Sequence, residues 1–222
     1  MNVILTPVQV RVLGCLIEKA ITTPEYYPLT LNALTAACNQ KSNRDPVMAL
    51  DDRTVMEAVD ELRSTHSLVW QVDIAGSRTP KFKHNAADTL GLSANELAVL
   101  CELMIRGPQT LGELRTHTGR LCAFASLTEV EDTLRKLQER PEQPLAVKLA
   151  REPGRREQRY AHLLCGNVPA ESSVEAPPAE PEGASPAPAR DRLAALEAQV
   201  AALRKDVDAL NEQFAQFRRQ FE

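Results

Sequence analysis

Basic side chains gather at two places in this chain of 222 residues. Arg78, Lys81, Lys83 and His84 form one group; Lys148, Arg151, Arg155, Arg156 and Arg159 form the other. Cations set this closely around a turn can neutralise successive phosphates and release their condensed counterions. Glu152 and Glu157 dilute the second group. A third polar block, Asn39-Gln40-Lys41-Ser42-Asn43-Arg44-Asp45-Pro46, offers Lys41 and Arg44 to phosphates or base edges. Its Asn, Ser and Asp side chains can equally bond their own backbone. Catalytic chemistry has no comparable constellation. His66, His84, His117 and His162 lack metal-ligand spacing, and neither Gly-x-x-x-x-Gly-Lys nor Gly-x-Gly-x-x-Gly occurs. No enzyme, metal site or cofactor is expected.

The elements that position these groups occur twice. Thr6 and Ser93 each precede Gln or Glu by three places and open an apolar run, the signature of a capping box. The first unit reads as helix 6–19, a Pro-rich loop, helix 31–38 capped by Thr30, and a third helix starting at Asp51 or Asp52. A hairpin follows, with strands at 68–74 and 81–84 around Ala75-Gly76-Ser77. The second unit repeats the order with helices 93–106, 111–118 and 127–139, then strands 145–149 and 158–164 around Glu152-Pro153-Gly154. Three helices followed by a hairpin is the winged-helix order. The expected fold is mainly α with small β-hairpins: tandem winged-helix domains at 1–88 and 89–165. A Pro/Ala/Glu-rich linker at 166–189 leads to a coiled-coil helix at 190–222.

In that last segment Leu193, Leu196, Val200, Leu203, Val207, Leu210, Phe214 and Phe217 alternate three and four apart, which predicts a homodimer, the alternative being one helix docked on its own winged-helix units. The third helices limit the nucleic-acid reading. Asp52, Glu57, Asp60 and Glu61 outnumber Arg53 and Arg63, and Glu129, Glu131 and Asp132 outnumber Arg135 and Lys136. An acidic helix is repelled by the phosphate rows that flank a major groove. The net charge is −4, all of it in the tail, because residues 1–165 are balanced. Dedicated nucleic-acid binders are usually basic. Two binding roles therefore stay open: DNA contact through the wings, or a protein adaptor using the acidic helices.

Cys15, Cys38, Cys101, Cys122 and Cys165 are widely spaced, which fits a reduced cytoplasm rather than a disulfide framework. No run of about 18 apolar residues predicts a membrane span. Longer strings carry a resemblance. Thr22-Thr23-Pro24-Glu25-Tyr26-Tyr27-Pro28-Leu29-Thr30, Cys38-Asn39-Gln40-Lys41-Ser42-Asn43-Arg44-Asp45-Pro46 and Arg159-Tyr160-Ala161-His162-Leu163-Leu164 resemble the YceH family of bacterial proteins. The resemblance covers about residues 3–168. It implies tandem winged-helix domains in a bacterial cytoplasmic protein and brings no activity or site residue with it.

Overall fold

Thr6 and Ser93 both form the capping box that their spacing predicts. The Gln9 N–H donates to Thr6 Oγ1 while Thr6 N–H donates to Gln9 Oε1 at 2.7 Å; Ser93 and Glu96 do the same. These boxes start α1 (Pro7–Thr22) and α5 (Ala94–Arg106) in a computed structural model that describes residues 3–73, 79–151 and 157–166. The expected linker, the heptad segment and its dimer contacts lie outside the described residues. So do Ile74–Arg78 and Glu152–Arg156, and with them Arg78, Arg155 and Arg156.

α1 is followed by a single 3-10 turn at Pro24–Tyr26, β1 (Leu29–Thr30), α2 (Leu31–Cys38), α3 (Asp52–Ser64), β2 (Val69–Val72) and β3 (Lys81–His84). A short α4 (Ala86–Leu90) ends at Gly91, whose φ of +60° closes the helix in the left-handed region that suits glycine. After α5 come α6 (Leu111–Thr118), α7 (Leu127–Gln138), β4 (Ala146–Lys148) and β5 (Tyr160–His162). Helix–helix–helix–hairpin thus occurs twice, in a mainly helical fold with small antiparallel strand pairs.

Sequence periodicity did not reveal β1. It pairs antiparallel with β3, so the first sheet has the order β1-β3-β2. Gln109 takes the matching place in the second half by exchanging backbone hydrogen bonds with Tyr160 at 3.0 and 2.7 Å. Leu13, Leu16, Leu34, Val55, Leu62 and Phe82 in the first half share one buried cluster with Leu100, Leu103, Leu114, Leu134 and Leu137 in the second. The seam is α1 against α5. All described residues fall in one compact unit. Among them, no helix is long and apolar enough to cross a membrane.

Candidate nucleic-acid interface

Successive side chains of the first hairpin point to opposite faces. Val69 and Phe82 are buried, and the cross-strand pairs Trp70–Lys83 and Val72–Lys81 share the opposite face. Lys83 holds its ammonium 4.8 Å from the Trp70 ring centre. On the second hairpin Lys148 pairs with Tyr160 and sits 5.7 Å from that ring, while Arg151 is exposed. Arg159 is half-buried and engaged. Lys81, Lys83, Lys148 and Arg151 form no ion pair among the described residues.

The third helices are arranged differently. Arg53 is held by Glu57 at 2.9 Å, Arg63 by Asp60 at 3.0 Å and Arg135 by Asp132 at 2.7 Å, each within its own helix. Those cations are already neutralised on the exposed faces of α3 and α7.

The polar block before α3 divides. Lys41 is exposed, as a phosphate contact requires. Arg44 is a correction: it is 6% exposed and turned into the protein. Its guanidinium donates to Glu18 Oε2 at 2.5 Å and Oε1 at 3.2 Å, and to Ala37 O at 3.1 Å. A carboxylate buried in an apolar helix outcompetes solvent for a nearby arginine. Much of the rest of the loop is also self-satisfied, with Asn39 and the Leu50 backbone exchanging two bonds at 2.7 and 2.8 Å. Arg11, buried in α1, ties the loop down through Cys38 O and Pro46 O.

Arg44 opens onto a network that sequence reasoning missed. Arg120, in the loop before α7, bridges Glu18 of α1 at 2.6 Å and Glu102 of α5 at 2.9 Å. Both carboxylates are essentially inaccessible. Arg106 Nε lies 2.9 Å from Glu102 Oε2 without hydrogen-bond alignment, and its Nη2 donates to Asn43 Oδ1 at 2.5 Å. Burial alone raises the Glu18 carboxyl, but the hydrogen bond and charge of Arg44, with Arg120, hold it below the usual carboxylate range. The available signal was a lone glutamate inside each apolar run, Leu16-Ile17-Glu18 and Cys101-Glu102-Leu103. α5 is buried almost all round, so a charge there needs an internal partner.

His84 and His162 occupy matching places on the two return strands. Each has a buried Nδ1 with no hydrogen-bond partner among the described residues. Burial lowers the His162 pKa to about 4 and lowers that of His84 as well. With the folded value below the unfolded one, the unfolded chain binds more protons between about pH 4 and 6.5. Stability from His162 is therefore complete above that window and is lost as pH falls through it. His162→Leu should flatten the decline of the urea midpoint between pH 7 and 4.5 that wild type shows, at up to about 1.4 kcal/mol per pH unit. Parallel wild-type and variant profiles would refute the assignment.

Other chemistry is sparse. No cluster of three or more His, Cys, Asp or Glu suited to a metal occurs among the described residues. An open groove of about 240 Å³ lies between α6, α7 and the second hairpin, lined by Leu111, Leu127, Lys148, Gln158 and Tyr160. It contains no nucleophile–base pair.

A family model described as "Protein of unknown function, DUF480" matches residues 5–155. A UPF0502 protein of Pelobacter propionicus is 51% identical, with the whole of both chains covered. A UPF0502 protein of Geobacter sulfurreducens is also 51% identical over the whole of both chains. One from Aeromonas hydrophila is 47% identical across 97% of this chain and 99% of its own.

Proposed function

The chain belongs to the DUF480 family, the YceH-like bacterial family its sequence resembles, and from that premise we propose a tandem winged-helix protein that binds DNA phosphates through its two hairpins. One observation carries the reading. Lys81 and Lys83 on the first hairpin, and Lys148 and Arg151 on the second, form no ion pair among the described residues, while the arginines of α3 are each held by a carboxylate of their own helix, as is Arg135, though not Lys136, of α7. Hairpin lysines can follow a phosphate row, and the helices that would enter the groove present balanced or acidic faces. Binding is then mostly backbone contact with little base reading. No catalytic step belongs to this role.

The test is a salt series on a short duplex. Lys81→Ala with Lys83→Ala should weaken binding and flatten the log–log salt slope by roughly 0.9 for each lost phosphate contact. Lys148→Ala with Arg151→Ala should act in the same direction. No measurable binding of duplex or single strand at about 50 mM salt, where phosphate contacts are strongest, removes the reading.

The exposed carboxylates Glu57, Glu61 and Glu131 on α3 and α7 favour a second reading, in which a protein partner docks there. The same titration separates the two. Salt-dependent binding of nucleic acid supports the first, and its absence for both duplex and single strand leaves the second.

A further inference from the structure

Trp70 is the chain's only tryptophan, and it is 47% exposed on the outer face of the first hairpin. A large aromatic ring is seldom left in water on a strand whose inner face already has buried Val69 and Phe82. Its cross-strand partner is Lys83, with the ammonium 4.8 Å from the ring centre. The neighbouring pair on that face is Val72 with Lys81, about 6.6 Å further along. The face thus offers one π-surface with two cations beside it. Neither cation forms an ion pair among the described residues.

We propose that this face is a stacking platform for unpaired bases, so that the first hairpin takes single-stranded nucleic acid. The proposal rests on the phosphate-binding reading above and names the form of nucleic acid that this hairpin prefers. Bases inside a duplex are already stacked, whereas an unpaired base can lie on an aromatic side chain while basic residues hold its backbone. Lys83 is no obstacle. An exposed cation–π contact is weaker than base–aromatic stacking, so an arriving base displaces the ammonium towards the phosphate it carries. An acidic peptide would match the two charges but would leave the ring face unused.

The second hairpin has the same pair chemistry in reversed use. Lys148 lies over Tyr160, but that ring is 3% exposed and packs in the core. Among the described residues the second hairpin therefore keeps the cation and loses the platform. The two hairpins divide the work: one stacks bases and holds phosphates, and the other holds phosphates alone.

The lone tryptophan makes the test direct. Full chain is titrated with oligothymidylate at low salt, following intrinsic fluorescence and the anisotropy of a labelled strand together. Trp70 emission should fall in step with binding. Trp70→Ala should weaken the single strand about tenfold, and Trp70→Phe, which keeps a ring, should recover most of that loss. Lys83→Ala should lower the salt slope by roughly 0.7, the single-strand value for one phosphate. The proposal is overturned if the strand binds without quenching Trp70. It is also overturned if heparin or poly-glutamate quenches as strongly as oligothymidylate, since charge alone then accounts for the signal. Duplex binding with no effect of Trp70→Ala on single strands sinks the platform and spares the phosphate reading. Failure of both nucleic acids to bind sinks both.

Discussion

Replacing Arg120 with alanine is expected to lower the stability of the full chain by about 3 kcal/mol, towards the lower end of what breaking a buried ion pair costs. The lower end applies because the Arg120 side chain is 29% exposed, while its partners Glu18 and Glu102 are buried to 1% and 0%. The loss comes from what stays behind. Glu102 would keep only the misaligned contact with Arg106, and Glu18 would keep Arg44. Two carboxylates would then face each other with one bridge fewer in a region water reaches poorly. Arg120 is one of the charges that hold the Glu18 carboxyl low, so without it the folded Glu18 pKa would rise and the variant's deficit should shrink as pH falls towards 5. Arg120→Lys should recover less than half, because a single ammonium cannot fork between two carboxylates. Urea unfolding of the three proteins at two pH values checks this. A loss under about 1 kcal/mol, the range of a surface pair, would mean that the network is solvated.

The network also shows which kinds of information are local in a sequence. Thr6 and Gln9 are three residues apart, and helix geometry alone brings them together, so the capping box is legible. The ends of α2 and α6 follow from Thr30, Thr110 and the residues after each helix in the same way. Arg44 is the opposite case. Its place in a polar loop points outward, and only the carboxylate of Glu18, 26 residues earlier, turns it inward. Arg120 and Glu18 come from different repeats, so no spacing rule links them. β1 has two residues, too few for alternation to register, and it exists because β3 offers a free edge. Trp70 lies within the strand expected at 68–74, and alternation alone does not say which face of that strand is buried. The pleat places buried Val69 and Phe82 on one face and leaves Trp70 exposed on the other.

These observations bear on function through one geometric fact. The loop carrying Arg44 and the loop carrying Arg120 both precede a third helix, and both are fixed to α1 or α5. A base-reading loop needs free side chains at that point. Arg44 is engaged by Glu18 within the first half and Arg120 bridges Glu18 and Glu102 across the halves, so neither arginine is free to meet a base.

Gly14→Val should be the most damaging single substitution at the α1–α5 seam, by about 3 kcal/mol or more, and Gly14→Ala shows why. Glycine inside a helix costs about 1 kcal/mol relative to alanine, so its presence in α1 calls for a packing reason. A Cβ at Gly14 would lie 2.7 Å from Ile105 Cγ2 and 3.3 Å from Met104 Cβ, while the Gly14 carbonyl accepts from Cys101 Sγ at 3.4 Å. Ile105 is fully buried and β-branched, so its methyl cannot swing away cheaply. Overpacking of this kind costs about 1–3 kcal/mol, which exceeds the helix-propensity gain, so Gly14→Ala should destabilise wild type by about 1 kcal/mol. In an Ile105→Ala background the clash is gone and the gain remains. There the same substitution should stabilise by up to about 1 kcal/mol, an interaction energy near 2 between residues on different repeats. The four-member cycle, read from urea midpoints, is decisive because the sign must change. If Gly14→Ala stabilises the wild-type protein, the helices are not held at this distance. The close approach of α1 and α5 would then have to rest on contacts other than the missing Cβ of Gly14.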